Sequence, residues 1–372
     1  MSPRPLTIAV DARELLGRPT GVGRYLSGLL REWASDATLP HRFRLIAPAR
    51  PADAGELPAE RFEWVIEPGT AAGTWWEQTR LPRGARGADV LFASGYTAPL
   101  RPPCPYVVAV YDVSFFAHPD WFSWREGPRR RWITRAAARR AAAVVTISEF
   151  SAGEIVRYLG VPRDRIVLAP PAAPSPSPST VPPGAREPLV LYVGSIFARR
   201  RIPDLLRGFA MARARVPGAR LVLVGDNRTS PPVDPMAEAA ALGLRDDVEW
   251  RRYVTDAELA SLYARARVFA FLSDYEGFAM TPAEALAAGV APVLLDTPVA
   301  REVYADGARL VTADAGAIGA ALAALLTDAD ACAAQVARGR DRLARYSWAA
   351  SATAVRRALE AAARPAPGAA TR

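Results

Sequence analysis

Two glutamates eight positions apart, Glu276 and Glu284, frame the segment Ser273-Asp274-Tyr275-Glu276-Gly277-Phe278-Ala279-Met280-Thr281-Pro282-Ala283-Glu284. Before it runs Val268-Phe269-Ala270-Phe271-Leu272, an unbroken apolar stretch of the kind a buried parallel strand needs. After it comes an Ala/Leu-rich run with Pro282 in its early part, which reads as a helix. Glu276 is therefore expected where a strand ends, and Gly277 where the chain turns into the helix. Open α/β sheets bind ligands at such strand ends. Amides at a helix start hold anions, and carboxylates accept hydrogen bonds from hydroxyls. The combination suits a sugar joined to a phosphorylated nucleoside. For an isolated pair of glutamates, solvated helix-end charges are the plain alternative.

A second cluster is basic. Leu191-Tyr192-Val193-Gly194-Ser195 leads into Arg199-Arg200-Arg201 and Ile202-Pro203, a strand, a glycine turn and a helix start. Gly194 lets backbone approach a ligand closely. Arginines at a helix N-terminus oppose the dipole unless an anion sits there, and a guanidinium offers phosphate a two-pronged donor. Near the N-terminus, Asp11-Ala12-Arg13 and Thr20-Gly21-Val22-Gly23-Arg24-Tyr25 form a glycine-rich β–α connection. It lacks the third glycine of a dinucleotide fingerprint. Val110-Tyr111-Asp112 ends another strand, and Tyr111 can hydrogen-bond a hydroxyl or stack on a ring. Trp121, Phe122, Trp124 and Arg129–Arg131 either meet an acceptor or an anionic membrane, or pack beneath their loop. His118 reads as structural. Ser148 is a helix N-cap, and Thr255 with Glu258 makes a capping box.

The elements that must position these residues alternate between short apolar strands and amphipathic helices. Leu6–Val10, Phe43–Ala47, Phe62–Ile66, Val90–Ala93, Tyr106–Val110, Val144–Ile147 and Ile166–Leu168 read as strands, with helices at Val22–Trp33, Gly127–Arg140 and Glu149–Leu159. The pattern stops in the proline-rich stretch 171–188 and resumes with strands at Leu189–Val193, Arg220–Val224, Val248–Trp250, Val268–Phe271 and Ala291–Leu295. Helices close the chain at Ala315–Leu325, Ala329–Arg345 and Trp348–Ala363. Such alternation predicts α/β architecture with parallel sheets. The expected organisation is an N-terminal Rossmann-like domain over 1–170, a linker over 171–188, a second Rossmann-like domain over 189–346, and a final helix with a disordered tail over 347–372.

At 372 residues the chain is comfortable for two domains. All 47 basic residues are arginine, and the net charge of +9 is partly a matter of composition, so it argues weakly for nucleic acid. Cys104 and Cys332 lie far apart, and His41 and His118 are the sole histidines, so neither a disulfide framework nor a metal site is expected. No apolar run reaches the length of a membrane span, and a cytoplasmic bacterial protein is the expectation.

In order and spacing these motifs resemble the large family-4 group of retaining, nucleotide-sugar-dependent glycosyltransferases, whose signature is Glu-x7-Glu. The resemblance runs from Asp11 to Trp348. It implies the GT-B fold, two Rossmann-like domains facing a central cleft, with the last helix crossing back to the first domain. It implies transfer of a hexose-type sugar from a nucleoside-diphosphate sugar to a glycan or lipid-linked acceptor in polysaccharide biosynthesis, without metal or resident cofactor. Glu276 would hold sugar hydroxyls and Arg200 the departing diphosphate. Donor contacts would come from Gly21, Gly23, Gly194, Ser195, Arg199, Tyr253, Val254, Gly277, Phe278, Ala279, Met280 and Thr281, with Glu284 on the ribose. Tyr111, Asp112 and Arg24 would face the acceptor. Tyr111 stands where relatives often have histidine. Peripheral contact with the inner face of the membrane is part of the expectation; nucleic acid is not. A nucleotide-sugar epimerase on the same fold and a non-catalytic subunit of a polysaccharide assembly complex stay open. A phosphorylase would need a pyridoxal phosphate lysine, and the chain has no lysine.

Overall fold

The computed structural model describes residues 4–17, 20–51, 57–69, 73–122, 127–173 and 186–364. Most of the expected linker, Arg18-Pro19, Trp124 and the tail beyond residue 364 lie outside the described residues. The chain divides into two units, residues 1–171 with 346–372, and residues 172–345.

The first unit is built on a parallel sheet of β1 (Thr7–Asp11), β2 (Arg42–Ala47), β3 (Phe62–Ile66), β4 (Val90–Ala93), β5 (Tyr106–Ala109), β6 (Ala143–Thr146) and β7 (Ile166–Leu168). The strand order is 3-2-1-4-5-6-7, so it reverses between β1 and β4. Every residue of β4 and β5 is buried, as expected of strands covered on both faces. The helices are α1 (Gly21–Ser35), α2 (Thr74–Gly84), α3 (Ser114–Ala117), α4 (Gly127–Arg140) and α5 (Glu149–Leu159). Ser148 caps α5 by accepting the Ser151 amide, and Gly160 closes it with φ 69°. Helix α2 was not expected, because Pro82 interrupts its pattern. The proline lies in the last turn, where it forfeits little of the helix.

The second unit repeats the plan with β8 (Glu187–Val193), β9 (Arg220–Val224), β10 (Val248–Arg251), β11 (Ala266–Phe271), β12 (Ala291–Leu295) and β13 (Arg309–Val311). All are parallel, in the order 10-9-8-11-12-13. Its helices are α6 (Ile202–Arg215), α7 (Pro235–Ala241), α8 (Asp256–Arg265), α9 (Met280–Ala287), α10 (Pro298–Val303), α11 (Ala315–Thr327) and α12 (Ala329–Leu343). The Thr255–Glu258 capping box opens α8 in both directions. The buried Arg186 guanidinium donates to the carbonyls of Tyr263 and Ala266, each at 2.7 Å, and of Ala288 at 2.6 Å, tying β8's approach to two neighbouring segments.

The last helix, α13 (Trp348–Ala362), belongs to the first unit. Trp33 Nε1 donates to the Ala352 carbonyl at 3.1 Å, and Ser351 Oγ to the Pro170 carbonyl at 2.6 Å. His41, wholly buried, accepts the Leu6 amide at Nδ1 and faces Glu360 across 2.9 Å at Nε2. Burial would raise the Glu360 carboxyl, but His41 and Arg356 outweigh it and hold it below the usual range. Among the described residues no single helix is long and apolar enough to cross a membrane.

Candidate active site

In the second unit, β8, β9 and β11 end side by side. Gly194 (φ 145°) and Gly225 (φ 141°) close β8 and β9, and a Cβ on Gly225 would stand 2.1 Å from the Gly194 carbonyl oxygen. The two turns therefore meet backbone to backbone, which only glycine permits. Beyond Gly194 the chain makes a 3-10 turn over Ala198–Arg200, passes through Arg201 at φ 49°, and enters α6. The Asp274 amide donates to the Arg199 carbonyl at 2.9 Å, fixing this turn to the segment that follows β11.

These turns assemble a cluster of two arginines and one glutamate. Arg200 Nη2 lies 2.9 Å from Glu276 Oε1, and Arg199 Nη2 lies 3.7 Å from the same oxygen. Ser273 Oγ donates to Glu276 at 2.6 Å. The Arg200 guanidinium sits 4.2 Å from the centroid of Phe271, and its Nε is buried without a hydrogen-bond partner. Beneath it, Tyr192 donates to the Ser195 carbonyl at 3.1 Å, and burial pushes its phenol up to about 12. A shallow, narrow pocket opens beside Glu276, lined by Phe271, Ser273, Ala279, Thr297 and Tyr304 among others. The Tyr304 hydroxyl donates to the Ala279 carbonyl, holding the residue (φ 64°) that starts α9.

Not every expected contact is a surface in this arrangement. Arg201 is diverted to Asp274 at 2.6 Å and Asp204 at 3.1 Å, so the basic tripeptide delivers two guanidiniums to the cluster, not three. Phe278 is buried in the core, and Gly277 and Val254 are also buried. Tyr253 is 62 % exposed, and Met280, Thr281 and Glu284 are half-buried at α9. Ser273 and Tyr304 were not singled out beforehand, and the loop 296–302 that carries Thr297 was expected to be scaffolding. Ser273 is visible in hindsight as the residue directly after the apolar strand; Thr297 shows in the sequence only as the N-cap of α10, and Tyr304 leaves no local pattern.

The first unit has its own charged group at the end of β1, between β1 and β4. Arg13 Nη2 bridges Asp11 at 2.6 Å and Glu77 at 2.9 Å, and Thr97 Oγ1 donates to Glu77 at 2.5 Å. Asp11 and Glu77 are nearly inaccessible. Burial alone would lower the Arg13 pKa, but the two carboxylates raise it well above its ordinary value. Glu14 is raised, first by burial and then by Asp11. Glu77 was missed because it lies on the unexpected α2.

Three of the expected residues have partners of their own here. Tyr111 is buried and donates to the Ser94 carbonyl at 2.7 Å, and burial drives its pKa far up, so it is a core tyrosine packed edge-on against Tyr25 and Tyr96. Asp112 accepts from Tyr96 Oη and the Ser114 amide, both at 2.8 Å, which gives it a local structural task. The Gly23 amide is taken by Thr20 Oγ1 at 3.1 Å, and a Cβ there would stand 2.3 Å from the Glu14 carbonyl oxygen. Gly23 thus serves packing of α1 against the preceding turn. Gly21 and Arg24 remain exposed on the first turn of α1. His118 stacks on Trp121 with centroids 3.9 Å apart, as a structural residue would. Burial pushes both cysteine thiols up to about 11, away from reactivity. Among the described residues no group of three or more His, Cys, Asp and Glu is placed to hold a metal.

Two family profiles match the chain, one on each unit: "Glycosyl transferases group 1" over residues 180–342, and "Glycosyltransferase Family 4" over residues 19–174. The chain is similar to O-antigen chain mannosyltransferase B of Escherichia coli, with 29 % identity over 65 % of this chain and 66 % of that protein. It is also similar to a GDP-mannose:cellobiosyl-diphosphopolyprenol alpha-mannosyltransferase of Komagataeibacter xylinus, with 33 % identity over 43 % of this chain and 42 % of that protein. The matched stretches thus span less than two thirds of these curated relatives. Among solved structures, Anabaena HepE in complex with UDP-glucose superposes with TM-score 0.74 at 16 % identity, over 95 % of this chain and 99 % of that one. Sucrose-phosphate synthase from Thermosynechococcus elongatus gives 0.73 at 18 %, over 95 % and 98 %. At such identities the likeness is one of fold.

Proposed function

The chain belongs to the family-4 glycosyltransferases, and from that premise we propose that it moves a hexose-type sugar from a nucleoside-diphosphate sugar to a glycan or lipid-linked acceptor, with retention of configuration and without a metal ion. The observation that carries this reading is the pairing of Arg200 with Glu276 beside a second arginine, at the ends of β8 and β11. A sugar diphosphate offers what each member lacks. Its phosphate oxygens would take the two guanidiniums, including the unpartnered Arg200 Nε. Glu276, released from Arg200, would accept hydroxyls of the sugar. Glu284 is assigned to the ribose.

In the reaction the bond between the anomeric carbon and the β-phosphate oxygen breaks, and a bond from the acceptor oxygen to the same face of that carbon forms. The departing phosphate takes the acceptor's proton, so no protein base is required. Arg200 and Arg199 offset the charge that grows on the leaving diphosphate, worth most in a site that excludes water. Arginine can supply that charge where a metal would otherwise be needed.

The first donor to test is GDP-mannose, because several relatives are named for mannosyl transfer and one kind for GDP-mannose itself. A diphosphopolyprenol-linked saccharide is the acceptor to test, since that Komagataeibacter relative is named for one. A cytoplasmic setting beside the membrane belongs to the same reading. The test is transfer of labelled mannose to such an acceptor in the presence of EDTA. Activity restored only by Mg2+ would contradict the metal-free mechanism. Turnover of donor alone to an epimer would assign the epimerase reaction instead, and absence of turnover with any donor that binds would leave a non-catalytic subunit.

A further inference from the structure

Beside the Arg13 bridge, at the carboxyl ends of β1 and β4, stand one carboxylate and one guanidinium that the fold leaves short of partners. Glu14 follows β1 in the turn Arg13–Leu15 and is half-buried. Its Oε2 meets Thr20 Oγ1 at 3.4 Å, a long contact, and its Oε1 faces Gly95, where a Cβ would stand 3.6 Å away. Among the described residues Oε1 takes no hydrogen bond. Burial and then Asp11 raise the carboxyl's pKa, and Arg13, Thr20 and Arg130 do not offset them. Arg130, on the first turn of α4, is exposed and lies over the rings of Phe115, Tyr96 and Phe122, at 4.4, 5.2 and 5.9 Å from their centroids. Stacking occupies the faces of a guanidinium and leaves free the N–H groups in its plane. Among the described residues none of those groups reaches a protein acceptor.

We propose that Glu14 and Arg130 bind the terminal sugar of the acceptor and select a neutral pyranose there. The strand order reverses between β1 and β4, and open sheets bind ligands at such a reversal. Neighbouring ring hydroxyls suit the pair, because a hydroxyl both donates and accepts: one gives its proton to Glu14, and the next accepts from Arg130. The half-buried Tyr96 and Phe122 add apolar surface for the C–H face of the ring. Asp11, Glu14 and Glu77 stand against Arg13 and Arg130, so a uronate would add to a surplus of negative charge. Tyr111 and Asp112, expected to face the acceptor, are spent on Ser94 and on Tyr96 with Ser114, and the contact passes to this pair. The proposal deepens the transferase reading and rests on it for calling the sugar an acceptor.

Saturation-transfer NMR on the full chain without donor tests it. Methyl α-mannopyranoside and methyl β-glucopyranoside are the neutral probes, and methyl β-glucuronide is the charged one. The neutral probes should bind, and the glucuronide should bind several-fold more weakly than the glucoside. Glu14→Ala and Arg130→Ala should each weaken the neutral probes by about tenfold, the low end for a hydrogen bond to a charged group. Glu14→Gln, which keeps the shape and removes the charge, should narrow the gap between glucoside and glucuronide, a change that a merely structural role would not produce. A cooperative thermal transition shows each variant to be folded. No neutral probe bound by the parent, an unchanged gap in Glu14→Gln, or unchanged affinity in either alanine variant overturns the proposal. Sugar binding that responds to the variants in a protein that transfers from no donor would sink the transferase reading alone; transfer with an acceptor KM that the variants leave unchanged would sink the pair alone.

Discussion

The two units place an arginine after the first strand of a parallel sheet, yet the charge around it is opposite. In the first unit one guanidinium, Arg13, serves two buried carboxylates, Asp11 and Glu77. In the second, one carboxylate, Glu276, is shared by Arg199 and Arg200. The first group is short of positive charge and fully occupied by its own partners. The second has positive charge to spare and an unpartnered Nε. An anionic ligand would therefore be repelled by the one and, in the proposed reading, held by the other. The same topology carries a carboxylate-rich lock in one unit and an arginine-rich cluster in the other, and the count of charges is what separates them.

The largest effect should come from breaking the lock. Arg13→Ala strands Asp11 and Glu77 without their cation, and losing one partner of a buried ion pair costs roughly 3–5 kcal/mol. Denaturant unfolding should show that loss. A change below about 1 kcal/mol, the scale of an exposed pair, would mean that the network is not structural. Arg200→Ala should leave stability nearly unchanged by the same measurement, which is the sharpest contrast between the two arginines.

Glu276→Gln should abolish sugar transfer while leaving affinity for a nucleoside diphosphate equal or higher, because it removes the cluster's only negative charge. A variant that turns over normally, or that loses diphosphate binding, would undo the proposed division of labour. Glu284→Ala should weaken nucleotide binding by about ten- to a hundred-fold, the range for a hydrogen bond to a charged group; calorimetry with intact donor showing no change would remove the ribose contact.

A smaller effect concerns Glu14, whose carboxyl is raised by burial and by Asp11. A carboxyl with a raised folded-state pKa favours the folded state when protonated. Its contribution is full below the ordinary carboxylate range and is lost as pH rises through the raised value. Glu14→Gln should therefore stabilise the protein at neutral pH relative to the parent and make no difference in mild acid. Melting curves that shift equally at both pH values would contradict this.

Much of the fold was legible because parallel strands covered on both faces must be apolar along their length. Val90–Ala93 and Ala291–Leu295, buried along their whole length, fall at their expected bounds for that reason. Strand β13 escaped because Arg309-Leu310-Val311 is too short for a pattern, and α2 because Pro82 masks it. Within the site, Glu276 and Arg200 could be read from their places after apolar strands. What could not be read is which side chain turns inward. Tyr111 spends its hydroxyl on Ser94, Gly23 its amide on Thr20, and Arg201 its charge on Asp274. Each of these choices is made by a partner from elsewhere in the fold or by local backbone geometry, and neither shows in residue type.

The proposed function requires that the surplus guanidinium of the second unit hold a diphosphate. Calorimetric titration of GDP and of guanosine into the parent and Arg200→Ala proteins tests it directly. The substitution should weaken GDP binding by about ten- to a hundred-fold and leave guanosine nearly unaffected. Equal losses for both ligands, or no loss for GDP, would contradict it.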